Sequence, residues 1–369
     1  MKARVEKVFR FLDPKPDALL ISNAVDPHLD QTFFYLFEVP CGLFEGSVLL
    51  AHRDGEIDVL TGALEAESAE HAAKKDGHAK VHVVNRGDDT DALVKKLVGS
   101  SRSLALNDRE LTYEGFRRFN KLLPGTQWID ASNAVRRARV TKDPGEIARL
   151  KKAADIGSAV GREIPTLLKA GMTELELAAE MEYRMNLHGA SGRSFATIVA
   201  FGAHGSEPHY SPGSARLKSG DSIVCDFGAI SERYASDITR SFHFGARDEE
   251  MKQVHETVEK AQAAALAAVR PGVASKEVHL AAQNVIDASP WKGRLTHGVG
   301  HSIGLMVHDG WGYNSTAEDP LEEGMAITVE PGIYLPGHGG VRIEDDIVVT
   351  RSGYEFLTTA PRSYLEVSA

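Results

Sequence analysis

Cysteine is scarce. The 369-residue chain holds only Cys41 and Cys225, with no paired spacing, so neither a disulfide framework nor a cysteine-built structural zinc site is expected. The two read as reduced thiols. Basic charge is also in the minority: 42 Lys and Arg face 52 Asp and Glu, for a formal net charge of −10. No basic stripe runs along the chain, which argues against a nucleic-acid binder and leaves the excess charge to favour solubility. Long apolar runs are missing as well. No stretch approaches the roughly 18 apolar residues of a membrane-spanning helix. Residues 1–14 lack the apolar core, about 7–15 residues long, of a secretory leader. A cytoplasmic location is the expectation.

What is present suits two domains with well-buried cores. Ala18-Leu-Leu-Ile-Ser22 reads as a strand. Gly46 to His52 and Ile57 to Thr61 flank Arg53-Asp-Gly-Glu56, whose Asp-Gly step signals a hairpin. Ala66 to Lys74 is helix-prone, and Val81 to Val84 and Leu104 to Leu106 are further strands. The expectation is a mixed α/β (α+β) chain with a small α/β domain over residues 1–135 and a second domain over 136–369. Arg136, Arg137, Arg139, Lys142 and Asp143-Pro-Gly145 suggest a charged, turn-rich link between them. A long helix follows from about Gly145 to Leu168, with Ile147, Leu150, Ala153 and Ala154 at helical spacing. Thr173-Glu-Leu-Glu176 matches a capping box that starts another helix through Met185.

The second domain carries a weak internal repeat. Lys169-Ala-Gly-Met172 precedes a helix containing Leu177-Ala-Ala-Glu180, and Arg270-Pro-Gly-Val273 precedes one containing Leu280-Ala-Ala-Gln283. Each half then proceeds to a histidine and two strand-borne acids: His209 with Asp226 and Asp237, then His308 with Glu330 and Glu344. This order reads as a duplicated helix-helix-sheet unit with the acids at a central seam.

Asp226, Asp237, His301, Glu330 and Glu344 have the residue types of a two-metal hydrolase centre. Four carboxylates and one imidazole suit divalent ions held by oxygen and nitrogen, and paired ions of this kind promote amide hydrolysis near neutral pH. Asp226 interrupts the apolar strand Ser222 to Gly228, where strand propensity disfavours it. Pairing with Ser236 to His243 brings Asp237 to the same face. Glu330 ends an apolar strand stopped by Pro331-Gly332, and Glu344 lies in the next strand. Glycines on both sides of His301 allow close backbone approach.

From about Val140 to Arg362 the chain resembles the creatinase/prolidase/aminopeptidase P family of metallopeptidases. The resemblance rests on Pro208-His-Tyr210, Asp226-Phe-Gly-Ala229, Ser236-Asp-Ile-Thr-Arg240, His297-Gly-Val-Gly-His-Ser-Ile-Gly-Leu305, Val307-His-Asp309, Val329-Glu-Pro-Gly-Ile-Tyr334 and Gly340-Val-Arg-Ile-Glu-Asp-Asp346. It implies a pita-bread catalytic domain of two pseudo-symmetric halves. It further implies that Asp226 chelates one metal, that His301 and Glu330 hold the other, and that Asp237 and Glu344 bridge both. Glu330 would act as general acid/base, His308 and His209 would contact the substrate and the developing negative charge, and His297 and Arg342 would support or contact the substrate. Ser302 departs from the glycine many relatives carry there.

The two divalent ions implied are Mn or Co, with Zn or Fe as alternatives. The activity implied is hydrolysis of Xaa-Pro dipeptides (a prolidase), with aminopeptidase P action on longer peptides as the alternative and a non-catalytic pita-bread binding protein as a remote one. A dipeptidase needs a cation for the proline carboxylate, for which Arg294 and Arg342 are candidates. The resemblance also implies a homodimer. Phe33-Phe-Tyr-Leu-Phe37 and Leu43-Phe44 are either part of its surface or ordinary core of the small domain.

Overall fold

The computed structural model describes residues 1–85 and 87–368. The chain divides into two compact units, Met1–Arg139 and Val140–Ala369. In the first, a six-stranded sheet runs in the order Ala79–Val83, Ile57–Thr61, Val48–His52, Ala18–Ser22, Ser103–Leu106, Gln127–Asp130. Ala18–Ser22 lies inside it, antiparallel to Val48–His52 and parallel to Ser103–Leu106. A strand covered on both faces reads as a continuous apolar run, and its four leading residues are all buried. The Asp54-Gly55 signal is met by a hairpin, with Gly55 at φ +91°. Leu20, Leu50, Leu60 and Leu104 pack with Val94 and Phe119 from the helices Gly87–Val98 and Tyr113–Leu122.

The aromatic segment proves to be core. Phe33, Phe34, Tyr35, Leu36 and Phe37 form the buried helix Gln31–Phe37, capped by Asp30, which accepts from Thr32 N–H. Phe33 lies 5.4 Å, centroid to centroid, from Phe44, and of this set only Leu43 is exposed. The segment is therefore not a docking surface: buried rings packed mostly edge-to-face on one another have no face left to offer. The basic run also differs from expectation. Arg136, Arg137 and Arg139 lie within the helix Ser132–Val140 rather than in an irregular link, because arginine is a good helix former and no proline or glycine interrupts the run before Pro144.

The second unit consists of two helix-helix-sheet halves, as the repeat suggested. In the first half, Pro144–Leu167 and Glu174–Leu187 each begin with a capping box, Asp143 with Glu146 and Thr173 with Glu176. Their apolar faces, including Val160, Ile164, Leu177 and Met181, share one core with Ile223, Cys225, Phe227 and Ile238 from the strands Ser222–Phe227 and Ile238–Phe244. In the second half, Glu249–Ala268 and Ser275–Asp287 pack Val254, Val258, Ala282 and Ile286 against Ile327, Val329, Ile343 and Ile347.

The seam between the halves is polar and tightly bonded. Buried Arg240 donates to Glu344 O and Ala360 O and pairs with Asp345 at 2.7 Å. Gln262 donates to the other Asp345 oxygen at 2.8 Å. Thus the carboxylates of the second half are fixed by the strands and helices around them. Among the described residues no helix is long and apolar enough to cross a membrane.

Candidate metal centre

Each acid pair sits where a β-ladder opens. Asp226 is opposite Thr239 in the 222–227/238–244 hairpin, whose last pair is Phe227 with Ile238. Asp237 lies just beyond it and, two residues from Thr239, on the same face. In the second half the sequence places Glu344 inside the strand that follows Glu330. Instead Ala326–Val329 pairs with Asp345–Thr350, Gly332–Leu335 pairs with Gly339–Arg342, and the ladder is interrupted between them. Pro331 lacks the N–H that would continue it. Glu330 and Glu344 leave the ladder together at this break and turn toward the first pair.

His301 arrives from the short strand Gly300–His301. Its backbone N–H donates to Thr328 Oγ1 at 3.0 Å, and a Cβ on Gly300 would meet Thr328 O at 2.1 Å, so only glycine permits this approach. The ring Nδ1 faces Ser302 O at 3.3 Å, which leaves Nε2 turned to the acids, 3.5 Å from Asp237 Oδ2 and 3.6 Å from Glu330 Oε1. Asp237, His301 and Glu344 each offer one ligand atom, and all three atoms lie within 4.8 Å of one another.

The electrostatics of this cluster call for a cation. Burial, then Glu344, Asp226, Asp346 and Glu330, push the Asp237 carboxyl well above its ordinary range. Burial, then Glu330 and Asp226, do the same to Glu344. Glu330 is pushed up to about 8, chiefly by burial, with Arg342 opposing and Asp226 adding. Asp226 Oδ1 and Asp237 Oδ1 are buried without a hydrogen-bond partner, a costly state for a carboxylate oxygen. Burial, then His308, lower the His301 imidazole to about 3, so its Nε2 lone pair is free. An oxygen-rich set with one neutral imidazole and two unpaired carboxylate oxygens fits hard or borderline divalent ions.

The remaining predicted residues converge on a cavity of about 290 Å³, lined by Asp226, His301 and Glu330 together with His209, His297, His308 and Arg342. His308 lies edge-on to His301, with centroids 4.2 Å apart, and is lowered by burial and then by His209. Arg342 is 3% exposed and already engaged. It donates from Nη2 to Asp226 Oδ2 at 2.6 Å, from Nε to Thr239 Oγ1 at 3.1 Å, and from Nη1 to Tyr334 Oη at 2.9 Å and Pro208 O at 3.3 Å. His297 donates from Nδ1 to Gly298 O at 2.7 Å, so its Nε2 accepts from the Tyr334 hydroxyl at 2.8 Å. Burial, then Arg342, lower His297 to about 4 and keep it neutral. Thr239 Oγ1 also donates to Glu344 Oε2 at 2.7 Å.

Sequence reasoning missed Thr239, Tyr334 and Asp346. Asp346 accepts the Asp237 N–H at 2.9 Å and is itself raised by burial. The rule that singled out Asp226, an acid inside an apolar strand, would also have found Asp345-Asp346. Thr239 and Tyr334 lie within the motifs Ser236 to Arg240 and Val329 to Tyr334, but their contacts with Glu344, Arg342 and His297 arise only in the fold.

Ser302 is accommodated. It is 0% exposed, its Oγ lies 2.8 Å from Tyr313 Oη, and it accepts from Trp311 N–H at 3.3 Å. These bonds brace the segment that carries His308. Ser302→Ala should destabilise the protein by about 1–3 kcal/mol, since it strands a buried hydroxyl, while Ser302→Ala with Tyr313→Phe together should cost less than the sum of the single changes. Denaturant unfolding of the four proteins checks this.

Comparison with known proteins bears on this geometry. Residues 148–351 match metallopeptidase family M24, and residues 11–141 match the Creatinase/Prolidase N-terminal domain. The chain belongs to metallopeptidase family M24. It is therefore a peptidase, and M24 metallopeptidases use divalent metal ions. Over 273 residues the chain is 36% identical to the putative dipeptidase YkvY of Bacillus subtilis, covering 74% of this chain and 75% of that protein. The structure of an X-Pro aminopeptidase from Thermotoga maritima matches with a TM-score of 0.90 at 35% identity, over 99% of this chain and 100% of that one. An Xaa-Pro dipeptidase from Bacillus anthracis matches with a TM-score of 0.90 at 30% identity, over 99% of both chains. The fold is that of the pita-bread prolidases.

Proposed function

We propose that this M24 peptidase hydrolyses the bond between an N-terminal residue and proline. The observation that carries the reading is the convergence of the Asp237, His301 and Glu344 donor atoms, within 4.8 Å of one another, behind a cavity lined by three further histidines. Similarity to an X-Pro aminopeptidase and an Xaa-Pro dipeptidase supports the choice of bond. Two divalent ions would be held by Asp226 on one side, His301 and Glu330 on the other, and Asp237 and Glu344 between them. When bound, such ions supply Lewis-acid polarisation and a nucleophile at neutral pH. The oxygen-rich donor set with one imidazole admits Mn, Co, Zn or Fe, and the family resemblance points to Mn or Co. A homodimer rests on the family resemblance, and a cytoplasmic setting on two free cysteines, which suit a reducing compartment.

The chain's own groups do the rest. Glu330 lines the cavity and serves as general acid/base: it takes the proton given up by the attacking water and passes it to the departing proline nitrogen. His308 donates a hydrogen bond to the carbonyl oxygen as negative charge grows on it, and His209, exposed beside it, contacts the substrate. Proline's tertiary amide has no N–H to recognise, so the cavity walls position it by shape.

A dipeptidase needs a cation for the proline carboxylate. Arg294 is not among the cavity-lining residues, and Arg342 is the only Arg or Lys among those described. Four of its donor contacts already lie within the protein. This favours the second reading, an aminopeptidase acting on longer peptides. Ala-Pro and Ala-Pro-Ala, offered with Mn and with a chelator control, separate the two. The expected result is metal-dependent cleavage with the tripeptide preferred. Cleavage of the dipeptide alone would return the enzyme to the dipeptidase reading, and cleavage of neither with Mn, Co, Zn or Fe would overturn both.

A further inference from the structure

The loop that presents His209 is held by a carboxylate with no part in the chemistry above. Glu174 is the first residue of the helix Glu174–Leu187 and is 0% exposed. Its Oε1 accepts from Phe201 N–H at 2.9 Å and from His204 Nδ1 at 2.8 Å. Its Oε2 accepts from the Tyr210 hydroxyl at 3.0 Å and from Gly213 N–H at 3.0 Å. The His204 ring stacks on Tyr210 with centroids 4.5 Å apart. The same residue acts through its backbone. The first N–H groups of a helix have no intrahelical partner, and here Glu174 N–H donates to Ala215 O and Leu175 N–H to Gly213 O, both at 3.2 Å.

The loop has little structure of its own. Between the strands Ile198–Phe201 and Ser222–Phe227 the regular elements reduce to the short turn Gly202–Ser206. Bonds at residues 201, 204, 210 and 213 therefore bracket His209 from both sides. From the cavity side, Arg342 Nη1 donates to Pro208 O at 3.3 Å. An ionised carboxylate has only acceptor sites, about four in all, and this one meets a donor at each. An amide of the same shape would turn its NH2 toward either Phe201 N–H or Gly213 N–H, neither of which can accept.

We infer that Glu174 is a positioning residue for the reaction: its carboxylate fixes the 201–213 loop so that His209 is held at the substrate. This rests on the reading of His209 as a substrate contact. Two measurements test it. First, kcat and KM are determined on Ala-Pro-Ala and Ala-Pro for the wild type, Glu174→Gln, His209→Ala and the double variant. A displaced loop should cost roughly 10–100-fold in kcat/KM, and the double variant should be no worse than His209→Ala alone. Independent effects that multiply, or an unchanged Glu174→Gln enzyme, would overturn the inference.

Second, hydrogen exchange is followed across the full-length protein. Glu174→Gln should speed exchange in residues 202–213 and leave the helices Glu249–Ala268 and Ser275–Asp287 as they are. Equal exchange in the loop would also overturn it. If Glu174→Gln does not fold, Tyr210→Phe removes one of the four bonds and should give the same pattern at smaller amplitude; no loop effect there counts against the clamp. If the wild type cuts neither peptide, the proposed function fails, while the exchange data still decide whether Glu174 orders the loop.

Discussion

Asp237→Asn is expected to abolish activity and metal stoichiometry together while raising the stability of the metal-free protein. The two effects have one cause. Asp237 is buried among Glu344, Asp226, Asp346 and Glu330, and these neighbours join burial in disfavouring its charge. Asparagine keeps the shape and removes the charge. Without metal, repulsion is relieved and the folded state gains. With metal, a ligand oxygen and a compensating charge are lost, and kcat/KM should fall by at least the roughly 10²–10³-fold that follows loss of a single electrostatic donor. Metal content by elemental analysis, peptide hydrolysis and thermal unfolding with chelator give the three readouts. A variant with full activity and full metal content would remove Asp237 from the site. Higher stability bought with lost function is the usual signature of a strained functional residue.

Asp226 and Glu330 were legible because each is an acid in or beside an apolar strand, a local violation of strand preference that ordinary packing does not explain. The helix starts were legible for a similar reason: the Thr173/Glu176 capping box is a four-residue signal, and the structure uses it. The helix Gln31–Phe37 was not, because it is buried all round and has no polar face to set a period. The bonds that shape the cavity were also hidden. Arg342 meets Asp226 across 116 residues of chain, and Thr239 meets Glu344 across 105. Such contacts exist only once two halves have folded against a common seam. For the same reason the motif marked Arg342 as a site residue, but only its three-dimensional neighbours show that its donors face Asp226, Thr239, Tyr334 and Pro208.

The metal-free protein should lose stability as pH rises from about 6.5 to 8, and divalent metal should remove most of that slope. Two sets of groups act with opposite sign. His301, lowered to about 3, and His297, lowered to about 4, are neutral in the folded state. Their contribution grows with pH until the unfolded imidazoles have also lost their protons, near the ordinary value of about 6.5. Glu330, raised to about 8, behaves oppositely, as do Asp237, raised by burial and then by Glu344 and Asp226, and Glu344, raised by burial and then by Glu330 and Asp226. The folded protein keeps protons that the unfolded chain released near pH 4, so it binds more protons and is destabilised as pH rises. Below about 6.5 the two sets oppose each other. Above it only the carboxyls remain, and each that still holds its proton contributes a loss of about 2 kcal/mol over the interval to pH 8. Bound divalent ions take the place of those protons. At a thousand-fold excess over Kd they add about 4 kcal/mol, or roughly 10 °C in Tm for a unit of this size, and the gain should be larger at pH 8 than at pH 6.5. Thermal scans in this interval, with chelator and with Mn, check both statements. A chelated protein whose Tm is flat or rises with pH would mean that the buried acids are compensated by something other than metal, and Asp237→Asn, which removes one of them, should then leave the pH profile unchanged.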